Sequence, residues 1–235
     1  MSTAAGVLEG IGALVLGADE IGSGIARRFE REGARVMLVE SADVPRAIPD
    51  SVAALGRLDV LVCNLLPAAR PLALEALDSA TFFSGFDYVA ATHAAMVATL
   101  PALRASGRGR ILLVGHRYGE SVSDGLGAYN PAAWSLVGLA RTAAVEWGQH
   151  QIATNVLLPL AATAEFRAAR DRRPAIIDRL VSQLPLRRVG DPVEDIGGAA
   201  VFLASDAACF VNGQVLCADG GQQVGGPVLN PARFA

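Results

Sequence analysis

Six short, almost wholly apolar runs punctuate this chain at intervals that leave it few ways to fold. They read "ALVLG" (13–17), "RVMLVE" (35–40), "LDVLVCN" (58–64), "RILLVG" (110–115), "TNVLLP" (154–159) and "GQVLCADGG" (213–221). A strand that is apolar on both faces has to be covered on both, and helices lying between successive strands supply that cover. Helical patterns do fall between them: "GIARRFEREG" (24–33) closed by Gly33, residues 86–106, the segment opening at Tyr129, residues 164–184, and residues 192–205 with Pro192 in the first turn. The pattern predicts an α/β fold, a single doubly wound parallel sheet spanning 1–235 as one domain. Residues 219–235 read as a C-terminal interface tail.

Composition narrows the function. Hydrophobic residues make up 52% of the 235, and the formal net charge is −3, so no electrostatic pull towards nucleic acid or an anionic membrane is expected. All 20 basic residues are arginine. Cys63, Cys209 and Cys217 lie in apolar runs without CxxC spacing, which reads as core thiols in a reducing compartment and no metal site. The start "MSTAAGVLEGIG" has no basic segment, and no apolar run approaches the roughly eighteen residues of a membrane span. A cytoplasmic protein is expected.

The stretches "LDVLVCN", "RASGRGRILLV", "AYNPAAWSLVGLARTAAVEWG" and "PLRRVGDPVEDIGGAAVFLASDAACFVNGQVLCADGG" resemble the short-chain dehydrogenase/reductase family over nearly the whole chain. The resemblance implies a Rossmann-type sheet, a nicotinamide cofactor, and tetramers assembled through two long helices and the C-terminal strand. It also implies a catalytic tyrosine, matched here by Tyr129.

Around that tyrosine the family pattern breaks. The family lysine lowers the proton affinity of the phenol, whose ordinary pKa is about 10. Its place, one helical turn on, is taken by Ala133. The serine place is His116, and the asparagine that organises the proton relay aligns with Tyr88.

The cofactor positions break too. A phosphate-cradling turn needs glycines so that backbone N–H groups can approach the pyrophosphate at a helix N-terminus. Here it reads "VLGADEIGSG", carrying Gly17, Glu20, Gly22 and Gly24. Anchored on Gly22, the two earlier family glycines fall at Leu16 and Glu20; a gapped register recovers Gly17. Leu65 and Leu66 replace small residues of the family's Asn-Asn-Ala-Gly, and Leu160 replaces a glycine beside the nicotinamide, while Thr163 matches a family threonine that contacts the carboxamide. Only residues 41–57 separate the second and third strands, room for one helix and not for a strand–helix unit besides. That shortened unit would have walled the adenine, which leaves Glu40 as a solvated strand end.

The losses gather at cofactor- and substrate-facing places and spare the helices. The expectation is therefore a catalytically degenerate subunit that binds no cofactor itself. It would support an active family partner, which binds NAD(P), in a hetero-oligomer, expected to be a heterotetramer. Heteromeric family members of this kind are known, one of them acting on a hydroxybenzylsuccinyl-CoA thioester, so a CoA thioester or an aromatic catabolic intermediate is the implied substrate class. The alternative is a redox-free lyase, isomerase or cyclase in which Tyr129 and His116 share acid–base work.

Overall fold

The computed structural model describes residues 6–40, 44–67, 71–116 and 125–225. Six parallel strands form one sheet: β1 (Gly12–Leu16), β2 (Arg35–Val39), β3 (Val60–Cys63), β4 (Arg110–Val114), β5 (Ala153–Pro159) and β6 (Val215–Ala218). Their order is β2-β1-β3-β4-β5-β6. Each apolar run predicted as a strand is one.

Between them lie α1 (Glu20–Arg31), α2 (Val44–Leu55), α3 (Ser79–Ser84), α4 (Asp87–Ser106), α5 (Tyr129–Trp147), α6 (Ala164–Arg172), α7 (Pro174–Ser182) and α8 (Gly197–Ala204). The core has two layers, one on each face of the sheet. On one face α2, α4 and α5 bury Ile48, Met96, Leu103 and Leu136 against the strands. On the other, α1 and α8 bury Ile25, Phe29, Ala200 and Leu203.

One helix, α2, lies between β2 and β3, as the spacing required, and among the described residues no strand lies outside β2. That strand is exposed or half-buried throughout while β1 is wholly buried, and Leu38 stands 40% exposed. β2 is thus an edge of the sheet.

Three details differ from expectation. The stretch 164–184 is two helices, because Pro174 lacks an N–H to continue α6 and instead takes the first position of α7. Residues 192–205 begin as a π-helical turn, Pro192–Ile196, before α8. Cys209 is exposed rather than a core thiol, because it follows a short turn outside the sheet; Cys63 is buried as expected and Cys217 half-buried.

Among the described residues no helix is long and apolar enough to cross a membrane, and no group of His, Cys, Asp and Glu could hold a metal ion. The tail residues Val228, Leu229 and Phe234 lie outside the described residues.

Candidate functional site

In an open parallel sheet, ligands bind beyond the carboxyl ends of the strands, where the strand order reverses. Here that point lies between β1 and β3. Leu16 is the last, fully buried residue of β1, and Gly17 follows with φ 97°, a bend that favours glycine. A Cβ on Gly17 would collide with the Asn64 carbonyl oxygen, and one on Gly22 with the Gly17 carbonyl oxygen. Gly17 and Gly22 thus sit where the turn from β1 into α1 leaves no room for a side chain. Gly24 lies farther along α1, packed against Pro192.

The N-terminus of α1 already holds a carboxylate. Asp19 Oδ1 accepts from the backbone N–H groups of Ile21 and Gly22, both at 2.9 Å, and from Asn64 Nδ2 at 2.7 Å. This is an N-cap, satisfying donors a helix leaves open and placing negative charge at the positive end of its dipole.

Next to it, Glu20 leaves α1 and reaches α6. Its carboxylate accepts from the Ala164 backbone N–H and pairs with Arg167. The Arg167 guanidinium holds the Glu20 carboxyl below its ordinary value, helped by the Ala164 N–H and opposed by partial desolvation. Thr163 caps the same helix, its Oγ1 accepting from Phe166 N at 3.3 Å. Leu160 packs with Phe166, Ile177 and Leu184 under α6 and α7.

Tyr129 opens α5 and is 9% exposed. Its phenol donates to the Pro67 carbonyl oxygen at 2.8 Å, so the loop after β3 is tied to α5. Leu66, the residue before Pro67, packs on Leu126 and Tyr129, and with Leu65 it also packs against the main core. His116, two residues beyond β4, meets the Tyr129 ring edge-on with centroids 6.1 Å apart. The structure therefore brings Tyr129 and His116 together. Ala133 is buried at 4% exposure on the same helix. Tyr88, in the first turn of α4, is buried in the core; its hydroxyl has no hydrogen-bond partner among the described residues, and burial raises its pKa.

A family model described as enoyl-(acyl carrier protein) reductase matches residues 39–223. The chain belongs to the short-chain dehydrogenase/reductase family. Among curated members it is 31% identical to the oxidoreductase UcpA of Escherichia coli O157:H7, the match covering 92% of this chain and 95% of that protein. It is 29% identical to a 12alpha-hydroxysteroid dehydrogenase of a Clostridium species, over 92% of this chain and 98% of the relative. A solved structure titled as a putative NAD(P)-dependent gluconate 5-dehydrogenase from Beutenbergia cavernae, with bound NADP at low occupancy, superposes with a TM-score of 0.79 at 30% identity. That match covers 91% of this chain and 97% of that one. The match to the steroid dehydrogenase spans 257 aligned positions, more than the 235 residues present here, so the relative carries segments with no counterpart in this short-chain dehydrogenase/reductase.

The helix that opens at Tyr129 is thus in place, with Ala133 buried one turn along it, His116 against the tyrosine ring and Tyr88 in the core. Sequence reasoning missed Asp19 and Arg167. An Asp just before a helix that starts with Glu is a readable N-cap signal. The Glu20–Arg167 pair spans 147 residues and carries no local signature.

Proposed function

We propose that this chain is a catalytically degenerate short-chain dehydrogenase/reductase subunit that supports an active NAD-dependent partner in a heterotetramer. The observation that carries the reading is the Asp19 carboxylate on the Ile21 and Gly22 N–H groups. Those are the donors a dinucleotide pyrophosphate would take, and two anions in so small a space repel. Glu20 adds a second negative charge at the same corner and ties it to α6. The residues present do not fit a pyrophosphate, so NAD(P) belongs to the partner.

The acid–base side agrees. With Ala133 one turn along α5 there is no cation on that helix position to lower the phenol's proton affinity. The phenol proton is instead engaged by Pro67. A supporting role also suits the outer faces of α4 and α5, where Val97, Trp134 and Val145 are 47%, 48% and 84% exposed. Apolar side chains repeating along two neighbouring helices are a surface for another subunit. The substrate class of the complex is a CoA thioester or an aromatic catabolic intermediate.

Isothermal titration of the isolated chain with NADH and NADPH tests this reading, with no heat of binding expected up to millimolar ligand. A micromolar dissociation constant would overturn it. The edge-on contact of His116 and Tyr129 at 6.1 Å favours one second reading, a redox-free lyase, isomerase or cyclase. Turnover that needs no nicotinamide and is abolished by Tyr129→Phe would select that reading.

A further inference from the structure

The edge of the sheet at β2 carries nothing that would keep another strand away. Arg35 donates its backbone N–H to the Ile11 carbonyl and the Val39 carbonyl accepts from Gly17 N, both at 2.8 Å, so the odd-numbered residues of β2 bond to β1. Main-chain groups alternate sides along a strand, which turns those of Val36 and Leu38 outward, where they meet no partner among the described residues. Proteins ordinarily blunt such an edge with a lysine, a proline, a bulge or a covering element. The β2 sequence RVMLV has no lysine or proline, keeps its only charge at one end, and leaves Leu38 40% exposed.

The same edge selects its partner. Two copies of β2 related by a twofold axis through Met37 run antiparallel, with Val36 of one copy opposite Leu38 of the other. Those residues exchange both main-chain bonds, and their side chains meet on the sheet face that α1 covers, where Val36 already packs. Met37 faces its own copy on the other side of the sheet, and Arg35 lies opposite Val39. A register shifted two residues towards the start of the strand would lose bonds, because the Ala34 N–H is already bonded to the Phe29 carbonyl at 3.0 Å.

Charge agrees with this pairing. On α1, Gly24, Arg28 and Arg31 face the π-helical turn and α8. By the helical period, Arg27 and Glu30 then lie on the side turned to solvent and the β2 edge. Both are exposed, and neither forms a salt bridge among the described residues. The twofold runs α1 antiparallel to its copy and sets Arg27 of each against Glu30 of the other, so the surface is complementary to itself.

We infer that two copies of this chain join edge to edge at β2, making one continuous sheet with six strands from each copy. The contact lies at the opposite edge from β6, uses neither α4 nor α5, and does not depend on the chain being catalytically silent.

Variants of the full chain, expressed alone, test the pairing. Met37→Cys in a Cys209→Ser background should form a disulfide between copies under mild oxidation, because facing non-bonded residues of an antiparallel pair stand about 4.5 Å apart at Cα. Val36→Cys in the same background should not, since it lies opposite Leu38 and away from its own copy. Leu38→Pro removes an outward donor and leaves the bonds to β1 in place. It should keep the fold by circular dichroism and weaken self-association of the 24.3 kDa chain at least about tenfold in sedimentation equilibrium. Arg27→Glu should weaken it about threefold, and Arg27→Glu combined with Glu30→Arg should restore it. Should Leu38→Pro fail to fold, the disulfide and the charge exchange decide. A monomeric wild type, a Met37→Cys chain that forms no disulfide, or self-association unchanged in both the folded Leu38→Pro and the Arg27→Glu variants would each overturn the proposal.

Discussion

The Tyr129 hydroxyl donates to the Pro67 carbonyl at 2.8 Å, joining α5 to the loop that leaves β3. The bond connects residues 62 apart in sequence, and it sits where Leu66 packs on the same ring. Tyr129→Phe keeps the packing and removes the bond. The expected cost is about 0.5–1.5 kcal/mol, towards the low end because the Pro67 carbonyl lies on an exposed residue that water can reach. Turnover of the assembled complex should stay within about twofold. Urea unfolding measures the first; a fall of a hundredfold or more in turnover would show that Tyr129 is a working acid–base group.

Thiol chemistry separates two of the cysteines. Burial pushes the Cys63 thiol up to about 12, so at pH 8 it stays protonated as well as shielded. Cys209 is exposed. Iodoacetamide at pH 8 should alkylate Cys209 in the native protein and reach Cys63 only after denaturation, with peptide mass spectrometry as the readout. Native labelling of Cys63 at a rate like that of Cys209 would contradict the burial.

The strands, their parallel sheet and the single helix between the second and third were legible because each apolar run is long enough to be buried and short enough to be a strand, and only 17 residues, 41–57, lie between Glu40 and Leu58. The 164–184 stretch reads as one helix from its pattern alone, and Pro174 is the residue at which it divides. The candidate site was half-legible. The residue types at Ala133, His116 and Tyr88 can be read from the sequence, whereas the contacts that give the site its character cannot. Asp19 with Asn64, Glu20 with Arg167 and Tyr129 with Pro67 are pairings between distant segments, set by how the strand ends meet. Cys209 misled for a related reason: "AACFV" is apolar as a string, but the chain there turns out of the sheet.

Acid stability should carry the mark of Asp195. The Arg188 guanidinium beside it, with the Asp191 N–H, holds its carboxyl down to about 2 against partial desolvation, below its ordinary 3.8. A depressed folded value means the pair stabilises the fold fully above about pH 4 and loses that contribution as pH falls through about 2. Asp195→Asn should therefore be less stable than wild type at pH 7, with the gap shrinking towards zero between pH 4 and pH 2. Denaturant melts across that range measure it; a gap that widened on acidification would have the wrong sign for this pair.

Asp19 and Glu20 yield the sharpest test of the closed cofactor corner. Asp19 contributes the cap of α1, so Asp19→Ser keeps a capping hydroxyl and removes the charge, while Glu20→Ser releases Ala164 and Arg167. Two consequences are expected in the double variant. Amides at the start of α6 should exchange with solvent at least about tenfold faster, because the carboxylate that fixed that helix end is gone. With the Asp19 charge gone, an anion should also compete with the neutral hydroxyl for the N–H groups of Ile21 and Gly22, so inorganic pyrophosphate should bind measurably where none is expected to bind the wild type. NADH should still bind poorly, since a freed pyrophosphate site restores only part of what a dinucleotide needs and, among the described residues, no strand lies beyond β2 to wall an adenine. Hydrogen exchange and calorimetry read these outcomes separately. Faster exchange without pyrophosphate binding would mean that Asp19 and Glu20 hold α6 but do not stand in for a phosphate. Unchanged exchange would mean that the Glu20 carboxylate does not fix the start of α6.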